Sequence, residues 1–488
     1  MKITHILLAG TILIGSVSCS KLDEKPESLL VSEQFYLNEN QAVSAVNGSY
    51  RKLYESGQSI YNSLFQIAVE MATDDYEAGP RARNAHVRAI SNLTHDASND
   101  RMEQLWKQSY DAINASNQNI EYIAQIDTEK INEFIRQRLI NEAKFLRALH
   151  YFNLVRWFGP VPLVLQPATS LSGDELYVAK ATEKEVYLQI IADLKDAENL
   201  PQYKSYGDND KGRASSGAAK SILAKVYLTQ QDWSNAKLKA QEVIDKEGYD
   251  LFPEFTDVFN IDMKNGIEHI FSAQFKGNSG YQGNSLASRS APTDIPGING
   301  DYADAWHAEG GLYNSFSSQD KRLSTTFTIG MTSPIDGKYY ALAKPQFHKY
   351  YDESVVGNQS QSSKNLPIIR YAEVLLILAE AENELNGPSS LAQAAINKVR
   401  VRADIDPVGA DLIKDTFREA VFEERRKELT FEYQRWFDLV RRGATYYVTK
   451  LKAAGKINAA PRHLHFPTPQ RELNLNPNLK QHPDWINN

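Results

Sequence analysis

Between Gly212 and Ile244 two apolar stripes follow one another at helical spacing, separated by a turn at Gln230 to Asp232. Ala219, Ile222, Leu223, Val226 and Tyr227 make the first stripe, and Ala236, Ala240, Val243 and Ile244 make the second. Small residues at Ala224, Ala236 and Ala240 let two helices approach closely, and Tyr227 fills the gap that remains. Such a pair cannot bury its apolar faces alone, so it requires similar neighbours stacked against it. The chain is therefore expected to be mainly α-helical.

The stripe pattern resembles a tetratricopeptide (TPR) repeat, with Gly248 where Pro is usual. Further hairpins are predicted around it. One runs over about 103–126 and 133–158, and Gly159 with Pro160 stops its second helix. Thr182 opens a capping-box pattern, T-E-K-E, for a helix through Leu200. An amphipathic run over 369–385 ends at Asn386-Gly387-Pro388, a partner follows over about 391–402, and one long helix is expected over about 416–442, ended by Gly443. Between about 252 and 365 the helical period disappears and Gly, Ser, Asn and Pro accumulate. Loops this long inside a packed protein usually carry function.

Charge and cysteine usage narrow the function. A formal net charge of −7 without any long Lys/Arg run argues against nucleic acid as a partner. The only cysteine, Cys19, follows a basic start at Lys2, an apolar stretch from Ile6 to Ile14, and small residues at Gly15, Ser16 and Ser18. That stretch is shorter than the roughly 20 residues needed to span a bilayer, so it reads as an export signal over 1–18. Small residues directly before the cysteine resemble a bacterial lipobox, which predicts acylation of Cys19 and anchoring by its acyl chains. The polar stretch from Ser20 predicts a solvated tether, so the chain divides into signal (1–18), acylated Cys and tether (19–40) and folded body (41–488). With one cysteine, the body folds without a disulfide.

Four runs then match a known family in its own order: EAKFLRALHYFNLVRWFGPVPL at 142–163, PIIRYAEVLLILAEA at 367–381, FEERRKELTFEYQRWFDLVRRG at 422–443 and FPTPQRELNLNPNL at 466–479. Together with the lipobox they resemble the SusD/RagB family of Bacteroidetes surface lipoproteins. The resemblance implies a right-handed superhelix of about four TPR-like helix pairs with an irregular, loop-rich half that holds the ligand. It also implies glycan capture at the outer membrane, and a partner, a SusC-type TonB-dependent transporter on which the lipoprotein sits as a lid. Lys21, Asp23 and Glu24 after the anchor are similar to the surface-export signal of such lipoproteins. His463 and His465 stand where the last motif usually has hydrophobic residues, which bears on the packing of that expected strand.

Other chemistries fit the same residues less well. Glu424, Glu428 and Glu432 lie four apart but lack the Glu-x-x-His pairs of a di-iron bundle. Ion pairs locking neighbouring helices, through Arg425 to Glu428 and Glu432 to Arg435, fit better. His463-x-His465 has metal-ligand spacing in a strand but no nearby carboxylate or cysteine to complete it. Asp208 and Asp210 echo the opening of a calcium loop, whose twelfth position is Ala219 instead of Glu. No other cofactor is expected. A glycoside hydrolase would need paired carboxylates flanking a cleft, and a peptide-binding relative is the runner-up to a glycan binder.

Flat rings on polar loops suit sugars, whose C–H faces stack while their hydroxyls bond to acids and guanidinium groups. The loop aromatics are Tyr281, Tyr302, Trp306, Tyr313, Tyr339, Tyr340, Tyr350 and Tyr351. Trp306 leads, because it stands before Gly310-Gly311 with no helical stripe to serve, followed by Tyr281, Tyr302 and Tyr313. Thr73-Asp74-Asp75 matches a corner at which starch-binding members of the resembled family place an Asp and an Arg, which implies Asp75 and Arg81 here.

Overall fold

The computed structural model describes residues 35–55, 58–167, 173–280, 282–289, 291–292, 294–298, 300, 311–356 and 358–486. Helix α1 (Glu39–Arg51) is capped by Asn38, whose side chain accepts from the Gln41 amide. The chain is already packed before it. Tyr36 lies with its ring 5.2 Å from that of Tyr122 and donates to Asn119 Oδ1 at 2.9 Å, so residues 35–40 belong to the body, not the tether.

Helices α2 (Asp100–Gln125) and α3 (Glu133–Phe158) form the first long hairpin, each opened by an Asn cap. Gly159 takes φ +65° and ends α3, a conformation that suits glycine. Helix α4 (Glu183–Ala197) carries both hydrogen bonds of the Thr182–Glu185 capping box. Helices α5 (Ser216–Thr229) and α6 (Trp233–Lys246) are the TPR-like pair, with Ala224, Ala236 and Ala240 fully buried at the close approach. Each helix packs on the next in the order α3, α4, α5, α6.

The next layer of the stack is α7 (Tyr371–Asn386), which packs directly on α6 and then on α8 (Ser390–Arg402) and α9 (Lys414–Glu428). All of 247–370 is thus an insertion between two touching helices. Its ends are tied together: β1 (His269–Ala273) pairs antiparallel with β4 (Leu366–Arg370). Inside it, β2 (Phe327–Thr332) and β3 (Tyr339–Phe347) form a hairpin, and the described helices there span five residues or fewer. Mainly helical framework and loop-rich half both match the sequence reading.

The expected single helix over 416–442 is broken. After α9 the chain turns through Phe431 at φ +62° and Tyr433 at φ +63°, then resumes as α10 (Arg435–Val440), which packs on α11 (Ala444–Ala453). Two distant cations take over the carbonyls that continuing helix would have bonded. Arg370 donates to Glu428 O at 2.7 Å and Lys349 to Thr430 O at 2.7 Å.

Candidate functional site

A layer of buried charge forms the base on which the loop-rich half stands. Glu428, fully buried at the end of α9, meets Arg322 at 2.9 Å, Arg370 at 2.6 Å and Arg402. Arg322 also binds Asp320 and Glu424, Arg370 also binds Glu268 and Glu432, and Lys349 binds Glu432. Arg322 and Lys349 belong to the insertion and Arg370 to the strand that closes it, whereas Glu424 and Glu428 belong to the helical stack. Burial alone would raise the Glu428 carboxyl, but Arg402, Arg370 and Arg322 outweigh it and hold the group well below the usual carboxylate range. The expected ion pairing between elements is present, through partners other than the i,i+3 pairs. Arg425 binds Glu373 and Asp438, and Arg435 binds Asp74.

Above this base runs a stack of rings. Phe347 of β3 lies flat against Phe431 at 4.9 Å and against Tyr76 at 5.2 Å. Phe327 of β2 stacks on Phe347 at 5.1 Å, and Tyr313 meets Phe327 edge-on at 5.4 Å. The broken helix, the 73–81 loop, the hairpin and the Tyr313 turn therefore share one aromatic core.

The stack fixes where the sequence-predicted residues go. Tyr313 is half-buried at its edge, and Arg81 is exposed on the loop that carries Tyr76. Asp75 is different: it is 4% exposed and its carboxylate accepts from Arg426 Nε at 2.9 Å, with Arg435 at 3.5 Å. Burial and the neighbouring charge of Asp74 hold Asp75 above its ordinary range, while Arg435 and Arg426 overcome burial at Asp74 and lower it. Asp75 thus anchors α9 to the 73–81 loop through Arg426. Trp306, Tyr302, Tyr281 and Cys19 lie outside the described residues. Of the other loop aromatics, Tyr350 is core at 0% exposure, Tyr340 and Tyr351 are half-buried, and Tyr339 stands out at 62%. The alternation of β3 turns Tyr339, Ala341 and Ala343 outward together.

Only the hairpin register, which the sequence does not encode, says that Tyr339 is on the face of β3 that meets solvent. Ile329 and Ile335 are also exposed on this hairpin, at 58% and 74%, and Lys344 reaches Glu77 at 3.8 Å. The outward face and tip of the hairpin, with Tyr339, Ile329 and Ile335 and with Lys344 of the same strand paired to Glu77, make the candidate ligand surface, while Tyr313 packs at the hairpin's root and Arg81 is exposed on the 73–81 loop.

Acid chemistry elsewhere is largely committed. Asp208 faces Lys211 at 2.7 Å, and Asp210 faces Arg213 at 2.5 Å. Glu70 is pushed up to about 8 by burial and then by Asp75, but it is only 2% exposed. No strand forms at the last motif, which carries the short helix Gln470–Leu475, or just before it, where Pro461–Leu464 is a 3-10 turn. His463 is buried there and accepts from the Ala460 amide at 3.1 Å, while the ring of His465 lies 4.7 Å from that of His482. The two histidines of the H-x-H spacing therefore do not share a face. Among the described residues no helix is long and apolar enough to cross a membrane.

Comparison with known proteins agrees with this architecture. Residues 343–485 match the model of the SusD family, and residues 22–228 match a model described as starch-binding and associating with the outer membrane. SusD-like protein P2 of Formosa agariphila is 32% identical over 479 residues, covering 90% of each chain. A laminarin-binding SusD-like protein superposes with a TM-score of 0.76 at 26% identity, over 92% of this chain and all of the other. A SusD superfamily protein of Parabacteroides distasonis gives a TM-score of 0.79 at 24% identity, over 91% and 99% of the two chains. With that identity along nine-tenths of its length and the same helical stack, the chain belongs to the SusD/RagB family of carbohydrate-binding, outer-membrane-associated proteins.

Proposed function

We propose that this protein is a surface lipoprotein that captures oligosaccharides on its loop-rich half and passes them, uncleaved, to a SusC-type TonB-dependent transporter. Acylated Cys19 is its anchor. The observation that carries the reading is the insertion itself: Tyr339 stands exposed on a hairpin that rises from a base whose charges are engaged with one another. Laminarin binding by a 26%-identical protein of the same fold makes a β-glucan the first ligand to try. Two or three stacked rings on an open face, offset by desolvation of hydroxyls, suggest affinity of about micromolar order.

The test is calorimetry of the protein against laminarin, starch and other soluble polysaccharides, with peptide pools alongside. Binding of at least one polysaccharide, with unchanged product profile after long incubation, is the expected outcome. Trp306→Ala should weaken that binding by about 1–3 kcal/mol, the scale of a lost aromatic platform. Release of shorter sugars, or binding to peptides alone, would overturn the reading.

A further inference from the structure

The C-terminal tail returns to the body beside the last family motif. Phe466 N donates to Trp157 O at 2.6 Å, which fixes this segment against the end of α3. Gln481 braces the tail on it: its Oε1 accepts from the Thr468 amide at 2.8 Å and the His482 amide at 2.7 Å, and its Nε2 donates to Thr468 O at 2.9 Å. Trp485 Nε1 donates to His465 O at 3.1 Å. These bonds set His465 and His482 ring to ring, 4.7 Å between centroids, with Asp484 Oδ2 3.6 Å from His482 Nδ1.

One donor atom from each of His465, His482 and Asp484 lies within 4.8 Å of the others, and no other three His, Cys, Asp or Glu side chains among the described residues converge so closely. His465 Nδ1 is buried and makes no hydrogen bond. A buried ring nitrogen without a partner is costly, and a metal ion is a partner that would satisfy it.

We propose that His465, His482 and Asp484 form a divalent transition-metal site, with zinc as its ion, that staples the C-terminal tail to the body. Two imidazoles and one carboxylate suit zinc, whereas calcium and magnesium require mostly oxygen. Tetrahedral zinc with bonds of about 2.0–2.1 Å needs donors about 3.3 Å apart. The His482 Nδ1–Asp484 Oδ2 separation of 3.6 Å is near that already; this nitrogen also accepts from the Asp484 amide at 3.3 Å, so zinc binding there displaces that bond, and the two rings draw together from donor separations of up to 4.8 Å. Water takes the fourth position. Lys180 donates to Thr468 Oγ1 at 2.7 Å and its charge bears on both rings, which weakens the site relative to an unopposed one.

The experiment is zinc titration of the untagged, full-length protein after chelator treatment, followed by calorimetry. One zinc per chain is expected, calcium at the same concentration should give no heat, and His482→Gln and His465→Ala should each weaken zinc at least tenfold. His86→Ala, on an exposed surface, should change nothing. Cobalt(II) added to the unaltered protein should develop the intense visible bands of a four-coordinate ion, a readout that does not depend on whether the variants fold. Zinc affinity unchanged in His482→Gln, or a cobalt spectrum no different from that of the aqueous ion, would overturn the proposal.

Discussion

Replacing Glu428 by Gln takes one negative charge from a layer in which Asp320, Glu268, Glu424, Glu428 and Glu432 face Arg322, Arg370, Arg400, Arg402 and Lys349, and it does so with little change of volume. Breaking a buried ion pair from one side costs about 3–5 kcal/mol, because a charge is left uncompensated in a dry interior. Here each guanidinium keeps another carboxylate: Arg402 retains Glu268, Arg370 retains Glu268 and Glu432, and Arg322 retains Asp320 and Glu424. The expected loss is therefore about 3 kcal/mol, the lower end of that range. At about 2.1 cal/mol/K per residue, a chain of this length loses about 1 °C of Tm per kcal/mol, so calorimetry at pH 7 should show a fall of about 3 °C. The pH dependence has a definite sign. The folded carboxyl titrates below its unfolded value, so its contribution is present above about pH 4.3 and is lost as pH falls through the folded value. The gap between the two proteins should narrow in acid. Adding Arg402→Gln restores charge balance, and the double variant should cost less than the two single losses combined. A Tm at pH 7 equal to that of the unaltered protein, or additive single losses, would refute the buried-layer argument.

Three further outcomes are expected. His150 is fully buried with neither ring nitrogen bonded, and burial pushes it down to about 4. Its unfolded form titrates near 6.5, so stability should fall by about 3 kcal/mol as pH drops from 6.5 to 4, and His150→Leu should flatten that slope in acid denaturation curves. Tyr339→Ala should lower glycan affinity by about 1 kcal/mol yet leave Tm unchanged, since the ring is 62% exposed; full affinity in calorimetry would remove it from the ligand surface. The protein should co-purify with a large TonB-dependent barrel from detergent-solubilised outer membrane of its source, and its recovery alone would count against the proposed lid arrangement.

Local signals in the sequence located the helices well because their ends are chemically marked. Thr182 with Glu185, and Gly159 before Pro160, act over a few residues and need no tertiary context. The break after α9 carries no such mark, since 429–434 holds neither Gly nor Pro. It is imposed from a distance, by Arg370 and Lys349 on the helix-end carbonyls and by the ring stack that takes Phe431. The pairing of Asp75 is hidden in the sequence for the same reason. Its partner Arg426 is 351 residues away, and an acid on a loop looks free until that partner is placed. Tyr339 sits on a strand whose outward face depends on pairing register, which composition does not encode.

The base and the tip of the insertion do different physical work, and this separates their responses to change. Bidentate Arg–carboxylate pairs such as Arg370 with Glu432 fix direction as well as distance, so the base holds β4 and the insertion at one angle to α9. Apolar packing alone would tolerate sliding between the two halves, whereas Arg322, Arg370 and Arg402 are each forked between acids from separate segments. The hairpin tip contributes little to that hold, because Ile329, Ile335 and Tyr339 face solvent. Changes at the tip should therefore move ligand affinity without moving Tm. Changes at the base should lower Tm first, and should weaken binding only as the tilt of Phe327 and Phe347, and with it the seat of Tyr313, is lost.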